Sequence, residues 1–195
     1  MWGRYMEGEG KSRGAGKGQV EVYQPGRHKK RVVLDQVGGQ AKLAGMFILR
    51  GEEELDLEIE INHVAPETTG RVWVRGVVTG EARVKVRGMI RIGEAAAEAD
   101  SFLKINVLML SPLARGDVRP ELEILCNQVK ASHAATIGKI DAEQMFYLES
   151  RGYSTREAER MVVEGWFSGI LDEIEDREIR KRVERKLEAR SGCKM

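Results

Sequence analysis

Residues 71–90 read RVWVRGVVTGEARVKVRGMI, and one pattern occurs in them twice. Arg71 to Val78 and Arg83 to Ile90 each run Arg-Val-x-Val-Arg-Gly followed by two apolar residues, offset by twelve positions. Self-similarity at so short a period, with Gly76, Gly80, Gly88 and Gly93 expected to mark bends, points to stacked strands or a solenoid. A sandwich or a β-meander would space its strands similarly, so the repeat alone leaves those folds open.

Upstream, EELDLEIEIN sets Leu55, Leu57, Ile59 and Ile61 in alternation with Glu54, Asp56, Glu58 and Glu60. That is the period of a strand with one buried and one wet face, and His63 falls in phase with the apolar set. Downstream, FLKINVLML and PELEILCNQVKASH extend the β region beyond EAAAEAD, which reads as a loop or a single helical turn, with Pro112 and Pro120 bracketing the link. After Gly138 the period becomes helical. Asp141 with Gln144 and Ser154 with Glu157 read as capping boxes, and Gly152 supplies the left-handed residue between the two helices. The second helix carries Ala158, Met161, Val162 and Trp166, with Val163, Phe167, Ile170 and Leu171 widening the stripe beyond what packing on one neighbour requires. A charged third helix follows Asp176, with Ile179, Val183 and Leu187 on a narrow seam expected to cover a groove or a partner.

Composition narrows the function classes. The 195 residues hold 32 Lys and Arg against 31 Asp and Glu, so no net field draws the chain to nucleic acid or an anionic membrane. Cys126 and Cys193 are far apart and have no zinc-ligand spacing, which suits a reducing, cytoplasmic setting. No apolar run is long enough to span a bilayer, and the Gly-rich, charged residues 1–18 read as a flexible arm. No Walker motif is present, so the chain is expected to bind no nucleotide itself.

The strand PELEI at Pro120 to Ile124, the segment VKASHAATIGKID at Val129 to Asp141 and the helix end FYLESRG at Phe146 to Gly152 resemble the C-terminal signature of the SufB/SufD family of iron–sulfur cluster assembly, nearer its SufD branch. VKVRGMIRI, INVLMLSP and INHVAPETTG are similar to its β strands and loop, so the likeness runs from about Ile61 to Ile170. The resemblance implies a right-handed parallel β-helix over residues 19–140 and a C-terminal helical domain over 141–195. It implies a scaffold rather than an enzyme, dimerising through the β-helix with its own copy or a SufB-like subunit. It further implies docking of a SufC-like ABC-type ATPase by the C-terminal helices and a transient iron–sulfur cluster or iron as cargo. The chain looks like a minimal version, short in both the N-terminal helical region and the number of turns.

His133 matches the family histidine residue for residue, and neutral imidazole ligates iron. The alternative is that its ring satisfies backbone groups where strand gives way to helix. Cys126, in phase with Leu122 and Ile124, is the second candidate ligand, with inward packing as the alternative. Cys193 reads as an exposed thiol, His63 as a packed histidine and His28, in GRHKKR, as part of a solvated basic loop. Phe146, Tyr147 and Leu148 are expected to pin the first helix to the β-helix end. Phe146, Tyr147, Arg151, Gly152, Trp166, Phe167 and Ile170 form the candidate surface for the ATPase. A structural module that keeps both contacts without ligating iron is the competing reading.

Overall fold

The structure, a computed structural model, describes residues 11–13 and 17–191. Ten strands pair, all in parallel, into two five-stranded sheets. One holds β2 (Lys17–Tyr23), β4 (Gln40–Leu49), β6 (Thr69–Val78), β8 (Asp100–Met109) and β10 (Lys130–Lys139). The other holds β1 (Lys11–Arg13), β3 (Gly26–Leu34), β5 (Glu54–His63), β7 (Arg83–Ile92) and β9 (Arg115–Ile124). From β2 onward the chain alternates between the sheets, winding a parallel solenoid of about four turns over residues 26–139. Sandwiches and meanders join antiparallel neighbours, so this pairing disposes of both. The first described strands, β1 and the start of β2, lie within residues 1–18, where an arm is expected; residues 1–10 and 14–16 lie outside the described part, as does Cys193.

The twelve-residue repeat is not the period of the solenoid. Thr69 lies beside Asp100 and Asp100 beside Lys130, so one turn takes about 30 residues. The two copies are β6 and β7, facing strands of a single turn. Gly76 and Gly88 are correspondingly not at bends. Both lie mid-strand facing inward, where a Cβ would collide with the Phe47 ring or crowd the Leu103 methyls. Gly80 does turn the chain, at φ 70°, and a Cβ there would collide with the backbone of Gly51 in the turn beneath. EAAAEAD is a corner without helix, and its Ala96 and Ala99 are buried.

Between the sheets lies one apolar core that includes Leu55, Leu57, Ile59, Ile61, Val86 and Leu103. The outer faces differ. The β3–β5–β7 side carries rows of opposite charge across strands, with Arg27 3.3 Å from Asp56, Lys29 2.9 Å from Glu58 and Arg91 3.2 Å from Glu60. Such rows favour neighbouring strands while keeping the face wet. The apolar part of the other sheet's outer face is covered by two of the three helices, α1 (Ala142–Ser150), α2 (Thr155–Leu171) and α3 (Arg177–Ser191). Val20, Val22, Ala44, Met46, Ile48, Val77 and Leu108 meet Val163, Phe167, Ile170 and Leu171 of α2 and Ile179, Val183 and Leu187 of α3. Burying one large aliphatic or aromatic side chain contributes about 1.5–3 kcal/mol, so this seam holds the helices down. Arg190 fastens the end of α3, donating to the Ile48 carbonyl and pairing with Glu53.

The hairpin before α2 forms as its caps require. Ser154 and Glu157 make the reciprocal capping box, and Gly152 adopts φ 94°. Asp141 caps α1 through the Glu143 amide at 3.0 Å rather than through a box with Gln144.

Candidate functional site

Among the described residues nothing is stacked on the last turn of the solenoid. In β9, Val118, Leu122 and Ile124 stand over Val86, Ile90 and Ile92, which are buried. In β10, Ala131, His133, Ala135 and Ile137 stand over Ser101, Leu103, Ile105 and Val107, also buried. The next inward row is laid open: Leu122 is 36%, Ile124 42% and Ile137 45% exposed, with Leu125 beside them at 60%. His133 is exposed within this row, and Cys126 is half-buried in the corner between β9 and β10, packed against the core. His133 thus lies within β10 rather than at its junction with α1.

The two strand edges at this end differ. The Arg115 amide donates to Ala82 and the Leu125 amide to Ile92, so odd-numbered residues of β9 bond to β7 and even-numbered ones face outward. Pro120 is one of the latter. It lies within β9, not in the link before it, and its missing N–H blunts the open edge. In β10 the Lys130 amide donates to Ala99, so even residues bond to β8, while Ala131, His133, Ala135 and Ile137 present free backbone groups outward. No proline interrupts them, and the side chains between, Ser132, Ala134, Thr136 and Gly138, carry no charge. This is an edge ready to pair with another strand.

The other two histidines are occupied. Thr68 Oγ1 donates to the Ala65 carbonyl at 3.0 Å and therefore accepts the Nδ1 proton of His63 at 2.8 Å, leaving Nε2 as a buried acceptor. Burial lowers the His63 pKa to about 4, opposed by Asp100 and aided by Arg71. His28 Nε2 lies 2.9 Å from the Gln24 carbonyl, and its ring packs near Tyr23. Among the described residues no group of three or more His, Cys, Asp or Glu could hold a metal ion, so His133 and Cys126 make no complete ligand set within one chain.

The residues expected to meet a partner separate into two groups. Phe146 is 73% and Tyr147 55% exposed, and α1 buries no residue, so these aromatics do not pin the helix to the solenoid as expected. Arg151 stacks over the Tyr147 ring at 5.1 Å and donates to its hydroxyl, and Gly152 turns the chain beside it. Phe167 and Ile170, in contrast, are buried under α2. The wide apolar stripe that suggested a docking face is used to cover the chain's own sheet. Trp166 is half-buried over Arg75. Sequence reasoning missed the exposed row of Leu122, Ile124 and Ile137. The only signal available was the contrast between a proline in one late strand and none in the next.

No helix among the described residues is long and apolar enough to cross a membrane. Residues 23–166 match the family model described as SUF system FeS cluster assembly, SufBD core domain. The chain is 27% identical over 157 residues to the iron–sulfur cluster assembly protein SufD of Escherichia coli, and 34% identical over 134 residues to SufD of Bacillus subtilis. It is 33% identical over 154 residues to an iron–sulfur cluster assembly SufBD family protein of Mycobacterium bovis. These matches cover 80%, 69% and 75% of this chain but 37%, 31% and 39% of the relatives, so the chain spans less than two fifths of their length. The solenoid turns, the open end with its histidine and the capped hairpin all fall inside the matched residues, and the chain belongs to the SufBD family of the SUF system for iron–sulfur cluster assembly.

Proposed function

We propose that the chain is a platform subunit of iron–sulfur cluster assembly that works through two contacts and carries no turnover chemistry of its own. The open last turn receives the corresponding end of a second SufBD-type subunit, another copy or a SufB-like partner. The hairpin at Phe146, Tyr147, Arg151 and Gly152 takes a SufC-like ABC-type ATPase. The observation that carries this reading is the open end itself. A solenoid needs a polar cap on its terminal repeat, and an apolar row beside a bare strand edge is what a second solenoid end would cover. Pairing along β10 would also bring the two His133 side chains towards one seam. An iron–sulfur cluster or iron is then cargo, held with donors from both subunits.

In this arrangement Trp166 borders the ATPase contact, while Phe167 and Ile170 support it from beneath. The shortage of donors among the described residues favours, as a second reading, a module that pairs and docks without holding iron. Light scattering on a sizing column, with the chain alone and then with the SufC-like ATPase, tests both contacts. A dimer that takes up the ATPase is expected, and a monomer indifferent to it ends the platform reading. Anaerobic reconstitution with iron and sulfide then separates the two readings: cluster absorption that falls in His133→Ala supports ligation, an unchanged cluster spectrum rejects His133 as a ligand, and ATPase binding without iron uptake leaves only the module.

A further inference from the structure

A group of cations on the outer face of the helix-covered sheet has no part in either contact. Trp73 and Arg75 of β6 are in register with Lys104 and Asn106 of β8. Where the second half of α2 crosses these strands, Trp73, Arg75, Phe102, Lys104, Asn106 and Glu173 line a cavity of about 160 Å³.

Arg75 is held rigidly there. One terminal nitrogen donates to the Trp166 carbonyl, and the guanidinium lies 5.8 Å from the Trp166 ring centre. Gly169 makes the room: a Cβ at that position would sit 3.1 Å from both terminal nitrogens. Among the described residues no carboxylate lies within ion-pair distance of Arg75 or of Lys104, and Glu173 lines the same cavity without pairing with either. Burial lowers the Arg75 pKa, as expected of a cation drawn out of water without a counter-charge. A guanidinium has five N–H donors, and one carbonyl leaves most of them unused.

From this arrangement we infer that the cavity is a binding site for a small oxyanion, held by the Arg75 fork, the Lys104 ammonium and the Asn106 amide between the walls of Trp73 and Phe102. An apolar ligand would leave two cations unpaired in a partly desolvated site, and a cation would be repelled. A planar, pre-positioned guanidinium beside a mobile ammonium is the donor set that recognises phosphate or carboxylate groups. Glu173 reduces the surplus to one positive charge, which suits a singly charged group rather than a polyphosphate.

The test is titration of the whole chain with inorganic phosphate and, separately, with acetate, at ionic strength held constant with chloride, followed by tryptophan fluorescence and calorimetry. Saturable binding of at least one anion is expected, and the one bound more tightly tells a tetrahedral site from a planar one. Lys104→Gln should weaken binding at least tenfold, while Lys29→Gln on the opposite sheet leaves it unchanged. Because Arg75→Gln can unseat α2, the exposed Lys104 carries the test, with an unchanged melting temperature confirming its fold. No saturation beyond the chloride control, or Lys104→Gln superimposing on wild type, overturns the site.

Discussion

In the first turn of the solenoid a lysine is buried, while in the last turn aliphatic side chains of the core row are exposed. Lys30 stands beside Ile59 among the inward residues, is 1% exposed, and holds its Nζ 2.5 Å from Glu21 Oε1. Tyr23 closes the same region, its hydroxyl pKa raised by burial first and by the Glu21 charge second. Leu122, Ile124 and Ile137, at the other end, face outward from a core that continues beneath them. Both ends depart from the rule of apolar inside and polar outside, but only the first departure is compensated within the chain. A buried pair with good geometry is close to neutral in net stability. The apolar row and free strand edge at the other end have no such compensation among the described residues.

The largest effect should come from splitting the pair. Lys30→Met leaves the Glu21 carboxylate without its partner in the core and should cost about 3–5 kcal/mol, with Glu21→Leu added to it restoring most of the loss. Urea unfolding measures both, and a cost under about 1 kcal/mol for the single change would mean that the first turn is hydrated rather than sealed. Leu122→Ser at the other end removes comparable apolar surface. It should cost less than about 1 kcal/mol in the monomer, because that surface is already partly wet.

Proline sharpens the comparison at the open end, because neighbouring residues of β10 send their backbone groups in opposite directions. Ala134→Pro deletes an N–H bonded to β8 and should cost about 3 kcal/mol or more. Ala135→Pro deletes an N–H that faces outward, so it should leave the melting temperature nearly unchanged and abolish pairing with a second subunit on a sizing column. Equal destabilisation by both would show that the edge is not free. A dimer that survives Ala135→Pro would place the contact elsewhere.

The strands were legible because alternation is a local property. Glu54 to Ile61 and Arg71 to Val78 announce one buried face wherever they pair. The period of the solenoid was not legible in the same way. The twelve-residue likeness compares strands on opposite sides of one turn, whereas strands that stack differ in sequence and share only the apolar character of their inward positions. The candidate site suffered from a related limit. His133 and Leu122 lie in strands patterned like those beneath them, and nothing local says that no further strand covers them. The misreading of Phe167 and Ile170 had the opposite cause. Their apolar stripe was evident, but whether it meets the chain's own sheet or another protein depends on where α2 folds back.

The middle of the solenoid supplies the smallest effect at neutral pH and a further check on the two ends. His63 is as buried as Lys30, yet it has no carboxylate within bonding distance and relies on Thr68 alone. Its folded pKa of about 4 lies below the ordinary value of 6.5. Between those values the unfolded chain binds a proton that the folded chain refuses. The neutral ring therefore carries no protonation penalty above pH 6.5, and as the pH falls towards 4 the penalty takes a total of roughly 3 kcal/mol from the stability. His63→Leu should cost only about 1 kcal/mol at pH 7, for the lost bond to Thr68, and should be the more stable of the two chains near pH 4. Urea unfolding at pH 7, 5.5 and 4 reads the difference, and stability curves that stay parallel would show that the His63 ring accepts its proton in place. Crossing curves would mean that a buried polar group is tolerated in the core when it is neutral or paired, and the exposed row of the last turn would remain the departure that no described residue of the chain offsets.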